Sequence, residues 1–204
     1  MDHCCEQKGL GLSRLQARHS RVLYVVLWIN AAMFVIEGGA GLAAHSTALL
    51  ADALDMLGDA LVYGFSLFVL TRSDGWQAGA ALAKGTFMMV FGFGVLGQAA
   101  YKMVHPVMPG VGTMGVIGGM ALAANLACFL MLYRYRGDNL NMSSTWLCSR
   151  NDLIANLGVI VAAGGSYVFA SQLPDVAVGL VIATLFLHSA WRVMTQSVHS
   201  LKMA

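Results

Sequence analysis

Three aspartates within one apolar stretch are the residues of this chain best placed to do chemistry. Asp52, Asp55 and Asp59 lie in residues 46–70, a segment long enough to cross a lipid bilayer. A carboxylate at membrane depth is costly unless it faces protein, water or a bound cation. At about 100° per residue the three positions share one face of a helix, so the segment is predicted to carry an acidic stripe.

A second apolar segment, residues 145–169, carries Cys148 and Asp152 one helical turn apart, the spacing that also separates Asp55 from Asp59. Two helices that each present two such side chains could enclose one four-coordinate metal ion. Carboxylate and thiolate ligands suit Zn²⁺, and the sulfur suits Cd²⁺ or another soft divalent ion. Mg²⁺ and Ca²⁺ fit less well because they prefer shells made only of oxygen.

The charge of such a site links metal to protons. Three carboxylates and a thiolate around one divalent ion leave excess negative charge, and a metal ion binds these groups only when they are deprotonated. Protons therefore compete with metal, which is a physical basis for exchanging one for the other. The alternative is a structural network in which the acids pair with Lys84 and Arg150. These two bases are too few for five acids, which favours a bound cation or proton. The five acids are Glu37, Asp52, Asp55, Asp59 and Asp152.

Three further polar residues could support the site. Asp52 lies one turn before Asp55 and is interpreted either as an accessory carboxylate or as a structural one. Glu37 either carries a proton or is held by hydrogen bonds in the bundle, and the second interpretation is favoured. Asn156, one turn after Asp152, either orients a metal ligand or bonds to a neighbouring helix.

The N-terminus carries a separate cluster of soft ligands. His3, Cys4 and Cys5 are adjacent there. They could capture metal in the cytoplasm and hand it to the pore, or they could be an ordinary tail. The four cysteines of the chain are not spaced as a disulfide framework.

The composition is that of an integral membrane protein. Of the 204 residues, 58% are hydrophobic and 11% are charged, whereas soluble domains carry about 25% charged residues. A net charge of +2 gives no reason to expect a nucleic-acid partner. No secretory signal peptide is evident, since the first residues are polar and include acids.

Six apolar segments predict an all-α protein with six transmembrane helices. Residues 1–21 are predicted to be a cytoplasmic tail, residues 22–195 the membrane domain and residues 196–204 a second short cytoplasmic tail. The six segments are residues 22–43, 47–71, 80–103, 112–133, 146–170 and 175–195. Lys and Arg concentrate at the two termini and after the second and fourth segments, so both termini are predicted to be cytoplasmic. Gly115 and Gly119 have the GxxxG spacing of helix contacts.

Two motifs resemble those of the cation diffusion facilitator family. Residues 45–59 resemble its second helix, residues 141–160 resemble the start of its fifth helix, and Asn30 and Glu37 suit its first helix. The resemblance covers almost all of the chain. It implies a homodimeric antiporter of divalent metal and protons that alternates between states open to either side of the membrane. It places the metal ligands at Asp55, Asp59, Cys148 and Asp152.

The chain departs from the family pattern in three ways. Cys148 stands at a position that is usually His, and Asp55 stands at one that is often His in zinc exporters. Both departures bear on which metal is preferred. The family's cytoplasmic C-terminal domain does not follow the sixth helix, so a short form is expected whose dimer rests on membrane helices.

The resulting hypothesis is a transporter, not an enzyme, that exports Zn²⁺, and Cd²⁺ or another soft divalent ion, in exchange for protons. The metal is the transported substrate rather than a cofactor. The expected partners are protons, the lipid bilayer and a second copy of the chain, in a bacterial inner membrane. Two alternatives stay open. One is an intramembrane hydrolase that uses Asp59 and Asp152 as an acid–base pair. The other is a metal sensor or subunit that binds without transport.

Overall fold

The computed structural model describes the backbone of residues 4–69, 74–133 and 142–203, and the side chains of residues 21–64, 79–133 and 152–199. Five helices in this part of the chain contain segments long and apolar enough to cross a membrane, and α2 differs from them in carrying three aspartates. The predicted all-α membrane architecture is confirmed. The helices are α1 (Cys4–Ala43), α2 (Thr47–Val69), α3 (Asp74–Val104), α4 (Val111–Tyr133), α5 (Met142–Phe169) and α6 (Leu173–Met203).

The first and last helices continue beyond the predicted membrane domain of residues 22–195. The α1 helix begins at Cys4, and the α6 helix runs to Met203. Hydropathy detects only the apolar part of a helix. Backbone hydrogen bonding continues through polar residues of good helix propensity, such as the Glu, Gln, Lys and Arg of the N-terminal segment.

The α2 helix lies at the centre of the bundle. It makes extensive contact with α1, α3, α5 and α6, and the largest cluster of buried apolar side chains joins α2 through α6. The α1 and α2 helices run antiparallel in close register. A Cβ added to Gly38 would lie 4.0 Å from the Cβ of Ala53, and one added to Gly41 would lie 3.1 Å from the backbone nitrogen of Leu50. Each step along α1 towards its end is therefore a step along α2 towards its start.

Three short connections lie at one end of the bundle, called here the short-loop end. They comprise residues 44–46, 105–110 and 170–172, and backbone and side-chain hydrogen bonds join the second connection to each of the other two. His45 and Ala170 have φ angles of 50° and 45°, the left-handed conformation that commonly ends a helix. These two residues turn the chain sharply after α1 and α5.

A buried ion pair holds three helices together at the short-loop end. Lys102 Nζ lies 2.7 Å from Asp175 Oδ2, and both side chains are buried. Asp175 also accepts a hydrogen bond from Ser46 Oγ at 2.6 Å and from the backbone N–H groups of Thr47 and Ala48 at 2.9 and 3.0 Å. Such N–H groups in the first turn of a helix have no carbonyl partner within it. The start of α6 therefore caps the start of α2.

A glycine outside the GxxxG motif allows the backbones of two helices to approach closely. A Cβ added to Gly179 of α6 would lie 2.7 Å from the carbonyl carbon of Thr47, so only glycine allows α6 to approach α2 this closely. Gly115 and Gly119 have no atom within 4 Å of an added Cβ. In the described part of this single chain, the GxxxG motif makes no helix contact.

Candidate metal centre

A cavity of about 520 Å³ lies between α2, α3, α5 and α6. Asp55 and Asp59 line it from α2, and Asp152 lines it from α5. The structure thus brings carboxylates from both predicted motifs to one space, although they are almost a hundred positions apart in the chain. The rest of the wall is mainly apolar, with residues such as Met88, Ile182 and Phe186. Low-dielectric walls of this kind strengthen the attraction between carboxylates and a cation.

The carboxylates do not form a closed metal site in this conformation. Among the described side chains, no three His, Cys, Asp or Glu residues lie close enough together to hold one ion. Asp55, Asp59 and Asp152 are each half-buried. Cys148 lies in α5 one turn before Asp152, and its side chain is outside the described residues. Closing a site from these four residues requires the acidic groups to draw together, which a divalent cation favours by offsetting their mutual repulsion.

A buried lysine shares the cavity. Lys84 lines it from α3, so a basic group lies among the acids of the candidate site. When all are ionised, Lys84 and the three cavity aspartates carry a net charge of −2, before any charge on Cys148. One divalent cation balances this charge. From the sequence, Lys84 is considered only as a partner of the acids in a structural network. A basic residue within an apolar helix is itself a signal of a functional role.

Asp52 belongs to a second polar cluster, apart from this cavity. Asn156 Nδ2 lies 2.9 and 3.0 Å from the two Asp52 carboxylate oxygens, and Asn156 Oδ1 accepts from Asn125 Nδ2 at 3.1 Å. All three side chains are buried. Asp52 and Asp59 have nearly the same angular position on α2 but lie about 10 Å apart along its axis, too far to share one ion.

Glu37 joins the second cluster from α1. It is fully buried and lies within hydrogen-bonding reach of Asp52. Asn156 therefore links α5 to α2 and α4, while Glu37 extends the cluster to α1. Sequence spacing does not reveal this cluster, because its members come from four helices.

The side chains of the N-terminal soft-ligand cluster lie outside the described residues. His3 precedes the described residues, and Cys4 and Cys5 begin α1 with side chains outside the described part. A role for these three residues in capturing metal stays a prediction.

Comparisons with known proteins agree with the helix motifs. A family model described as "Cation efflux transmembrane domain" matches residues 23–202. The chain is 27% identical over 201 residues to a protein of Bacillus velezensis named "Cadmium, cobalt and zinc/H(+)-K(+) antiporter", covering 90% of this chain and 63% of that protein. It is also 27% identical over 197 residues to the "Zinc transporter ZitB" of Escherichia coli, again covering 90% of this chain and 63% of the relative.

The match to a human relative covers a smaller share of both chains. The "Proton-coupled zinc antiporter SLC30A2" of Homo sapiens is 28% identical over 189 residues, which are 79% of this chain and 50% of the human protein. The chain thus spans between half and about two thirds of the length of these relatives. Because the family model matches nearly the whole chain, the chain is an integral membrane protein that belongs to the cation efflux family, the cation diffusion facilitators.

Proposed function

We propose that this protein exports divalent metal ions, Zn²⁺ and also Cd²⁺ or another soft ion, from the cytoplasm in exchange for protons. One observation carries the proposal: Asp55 and Asp59 of α2 and Asp152 of α5 line a single cavity inside a membrane bundle. The family match and the relatives named for zinc, cadmium and proton transport support it.

The ligands are Asp55, Asp59, Asp152 and the thiolate of Cys148. The cavity leaves room for an incoming ion, and the three carboxylates lie on helices that approach it from different sides. Binding draws these groups into one coordination shell. Lys84 offsets part of their charge, which keeps the ion exchangeable.

The conformation described here is closed at the short-loop end. The Lys102–Asp175 ion pair and the close contact of Gly179 with Thr47 join α2, α3 and α6 there. In this proposal the ion enters the cavity from the opposite end, which the distribution of Lys and Arg places in the cytoplasm. Release requires the bundle to open at the short-loop end, where protons displace the metal.

The proposal extends to the assembly and the membrane. We place the protein in a bacterial plasma membrane as a homodimer held by its membrane helices. The bacterial relatives support this location, and the open face of α4 at Gly115 and Gly119 is compatible with such a dimer. The hydrolase alternative loses its support, because the matched family and the named relatives are transporters.

Metal flux into proteoliposomes tests the function. Vesicles that contain the purified chain, with a proton gradient across the membrane, should accumulate Zn²⁺ and Cd²⁺. Asp59→Ala and Asp152→Ala should each lower the initial rate at least tenfold, whereas Asp138→Ala, in the segment between α4 and α5, should not. Equal flux in the wild type and the two cavity variants would exclude the site. Stoichiometric metal binding without flux would favour the sensor alternative.

A further inference from the structure

Two carboxyl groups lie side by side in the bundle, apart from the metal cavity. Glu37 of α1 and Asp52 of α2 are each 0% exposed, and neither lines the cavity. Gly38 follows Glu37 and Ala53 follows Asp52, and a Cβ added to Gly38 would lie 4.0 Å from the Cβ of Ala53. Because the two helices run antiparallel, this contact sets the two acids about 3 Å apart along the helix axes. Glu37 lies within hydrogen-bonding reach of Asp52.

Neither acid has a basic partner in the described part of the chain. Asp52 accepts two hydrogen bonds from the neutral amide of Asn156. Neither carboxylate oxygen of Glu37 receives a hydrogen bond from a donor group. The buried ammonium of Lys102 is bound to Asp175 at the short-loop end.

The other groups around the two acids are neutral or acidic. The negative charge of Asp55 on α2 repels negative charge on Glu37, and that of Asp152 on α5 repels negative charge on Asp52. The α4 helix contributes Asn125, which is uncharged and bonded to Asn156. Asp55 and Asp152 therefore oppose a second negative charge on the pair.

These surroundings leave a proton as the cation that the two acids must hold. Two ionised carboxylates in contact, without water or a cation, would place two negative charges in a low-dielectric interior. An ionised carboxylate can only accept hydrogen bonds, so a hydrogen bond between two carboxyl groups requires one of them to be protonated. With one shared proton the pair is hydrogen-bonded and carries a single charge.

We propose that Glu37 and Asp52 form a proton-binding site, separate from the metal ligands, whose single proton is exchanged for metal. The first part stands on the geometry of the pair, and only the second part rests on the proposed function. A divalent cation bound near Asp55 and Asp152 offsets the negative charge that keeps the proton on the pair. The O–H bond then breaks and the proton passes to water, leaving both carboxylates ionised.

Glu37→Gln is the sharpest test, because Gln imitates a permanently protonated Glu37 in size and in charge. Metal affinity in the purified full-length chain, measured by titration with Zn²⁺ at fixed pH, should change less than about threefold. The number of protons released per bound Zn²⁺ should fall by about one, because the pair can no longer lose its proton. Asp52→Asn should behave in the same way.

Infrared spectroscopy provides a readout that does not depend on transport. The carbonyl stretch of a protonated carboxylic acid should be present in the metal-free wild type at neutral pH. It should weaken in Glu37→Gln and in Asp52→Asn, and it should be unchanged in Asp138→Asn, which removes an acid outside the described helices. Asp55→Asn tests the metal cavity in parallel and should lose Zn²⁺ binding.

The outcomes separate the two proposals. An unchanged carbonyl band in both pair variants, or an unchanged proton count per bound Zn²⁺, would overturn the proton pair even if transport is intact. The carbonyl band could depend on both acids while the protein binds no metal. That result would support the proton pair and refute the proposed function. Thermal unfolding confirms that each variant is folded, and if Glu37→Gln is not, Asp52→Asn decides the result.

Discussion

Asp52 and Asp55 lie one turn apart on α2, yet their surroundings differ completely. Asp55 is half-buried in a cavity that also contains Asp59, Asp152 and Lys84. Asp52 is fully buried, and both of its carboxylate oxygens accept hydrogen bonds from the side-chain amide nitrogen of Asn156. The same type of side chain therefore faces an open cavity in one place and a hydrogen-bond network in the other. What each carboxylate does is decided by the helices that it faces.

Replacing Lys84 tests the charge balance of the cavity. Lys84→Met removes a positive charge beside the carboxylates, so Zn²⁺ should bind about tenfold more tightly, which corresponds to about 1.4 kcal/mol of electrostatic free energy. Metal release should slow, and the transport rate should fall. Titration with Zn²⁺ and flux measurements check both effects. Lys84→Arg keeps the charge and is the matched control. Weaker metal binding in Lys84→Met would show that Lys84 organises the ligands rather than offsetting their charge.

Cys148→His tests whether a thiolate is a metal ligand. Imidazole suits Zn²⁺, whereas sulfur favours softer ions. The ratio of Zn²⁺ to Cd²⁺ affinity should therefore rise by about tenfold or more, measured by competition between the two ions on the purified protein. Cys128→Ser, a substitution of a buried cysteine in α4, is the control and should leave the ratio unchanged. An unchanged ratio in Cys148→His would exclude sulfur from the coordination shell.

At the scale of the elements, α2 depends on α6 for its first turn. Asp175 Oδ1 accepts from Ser46 Oγ and the Ala48 N–H, while Asp175 Oδ2 accepts from the Thr47 N–H and from Lys102. One carboxylate thus satisfies two of the free N–H groups of a helix and also neutralises a buried lysine. This interaction anchors α2, the helix that carries Asp55 and Asp59, at the end away from the cytoplasm in the proposed topology.

The two partners of this ion pair should not be equally important for stability. Asp175→Asn would turn an amide nitrogen towards the Lys102 ammonium and the Thr47 N–H, and should cost about 3–5 kcal/mol. Lys102→Met leaves Asp175 with three donors and should cost less. Unfolding of the purified protein by heat or denaturant in detergent measures both. Equal losses would mean that the ion pair, rather than the cap of α2, is the dominant interaction.

At the scale of the whole molecule, contacts between helices close the short-loop end. The short-loop end is held by a buried ion pair and by the approach of Gly179 to Thr47, whereas the cavity lies among α2, α3, α5 and α6. Opening that end must break the contacts of α2 with α6. For the proposed function, the direction of transport depends on which side of the membrane the short-loop end faces.

Thiol labelling tests this orientation. Met108 lies in the connection between α3 and α4 and is 49% exposed. In intact cells, Met108→Cys should react with a membrane-impermeant thiol reagent added outside, because the sequence places this end outside. The natural Cys4 and Cys5 should react only after the membrane is opened, so the unsubstituted chain is the control. Labelling of the unsubstituted chain in intact cells would show that the N-terminus lies outside, which contradicts the predicted topology.

The sequence by itself determined the fold class and the identity of the candidate ligands. Long apolar segments must span a membrane as helices, because hydrocarbon offers no hydrogen-bond partner to an exposed backbone. Helical periodicity then assigns Asp55 and Asp59 to one helix and Asp152 to another, since spacing along a helix is local geometry. The same local reasoning does not give the ends of the first and last helices, because α1 and α6 continue through polar residues beyond the apolar segments that hydropathy detects.

Only the tertiary structure decided which groups meet. That Lys84 shares the cavity, that Glu37 lies beside Asp52, and that Asp175 caps α2 all depend on contacts between residues far apart in the chain. Such contacts depend on the relative rotation and depth of whole helices. These are set by the packing of many side chains and by the few places where glycine allows two backbones to touch.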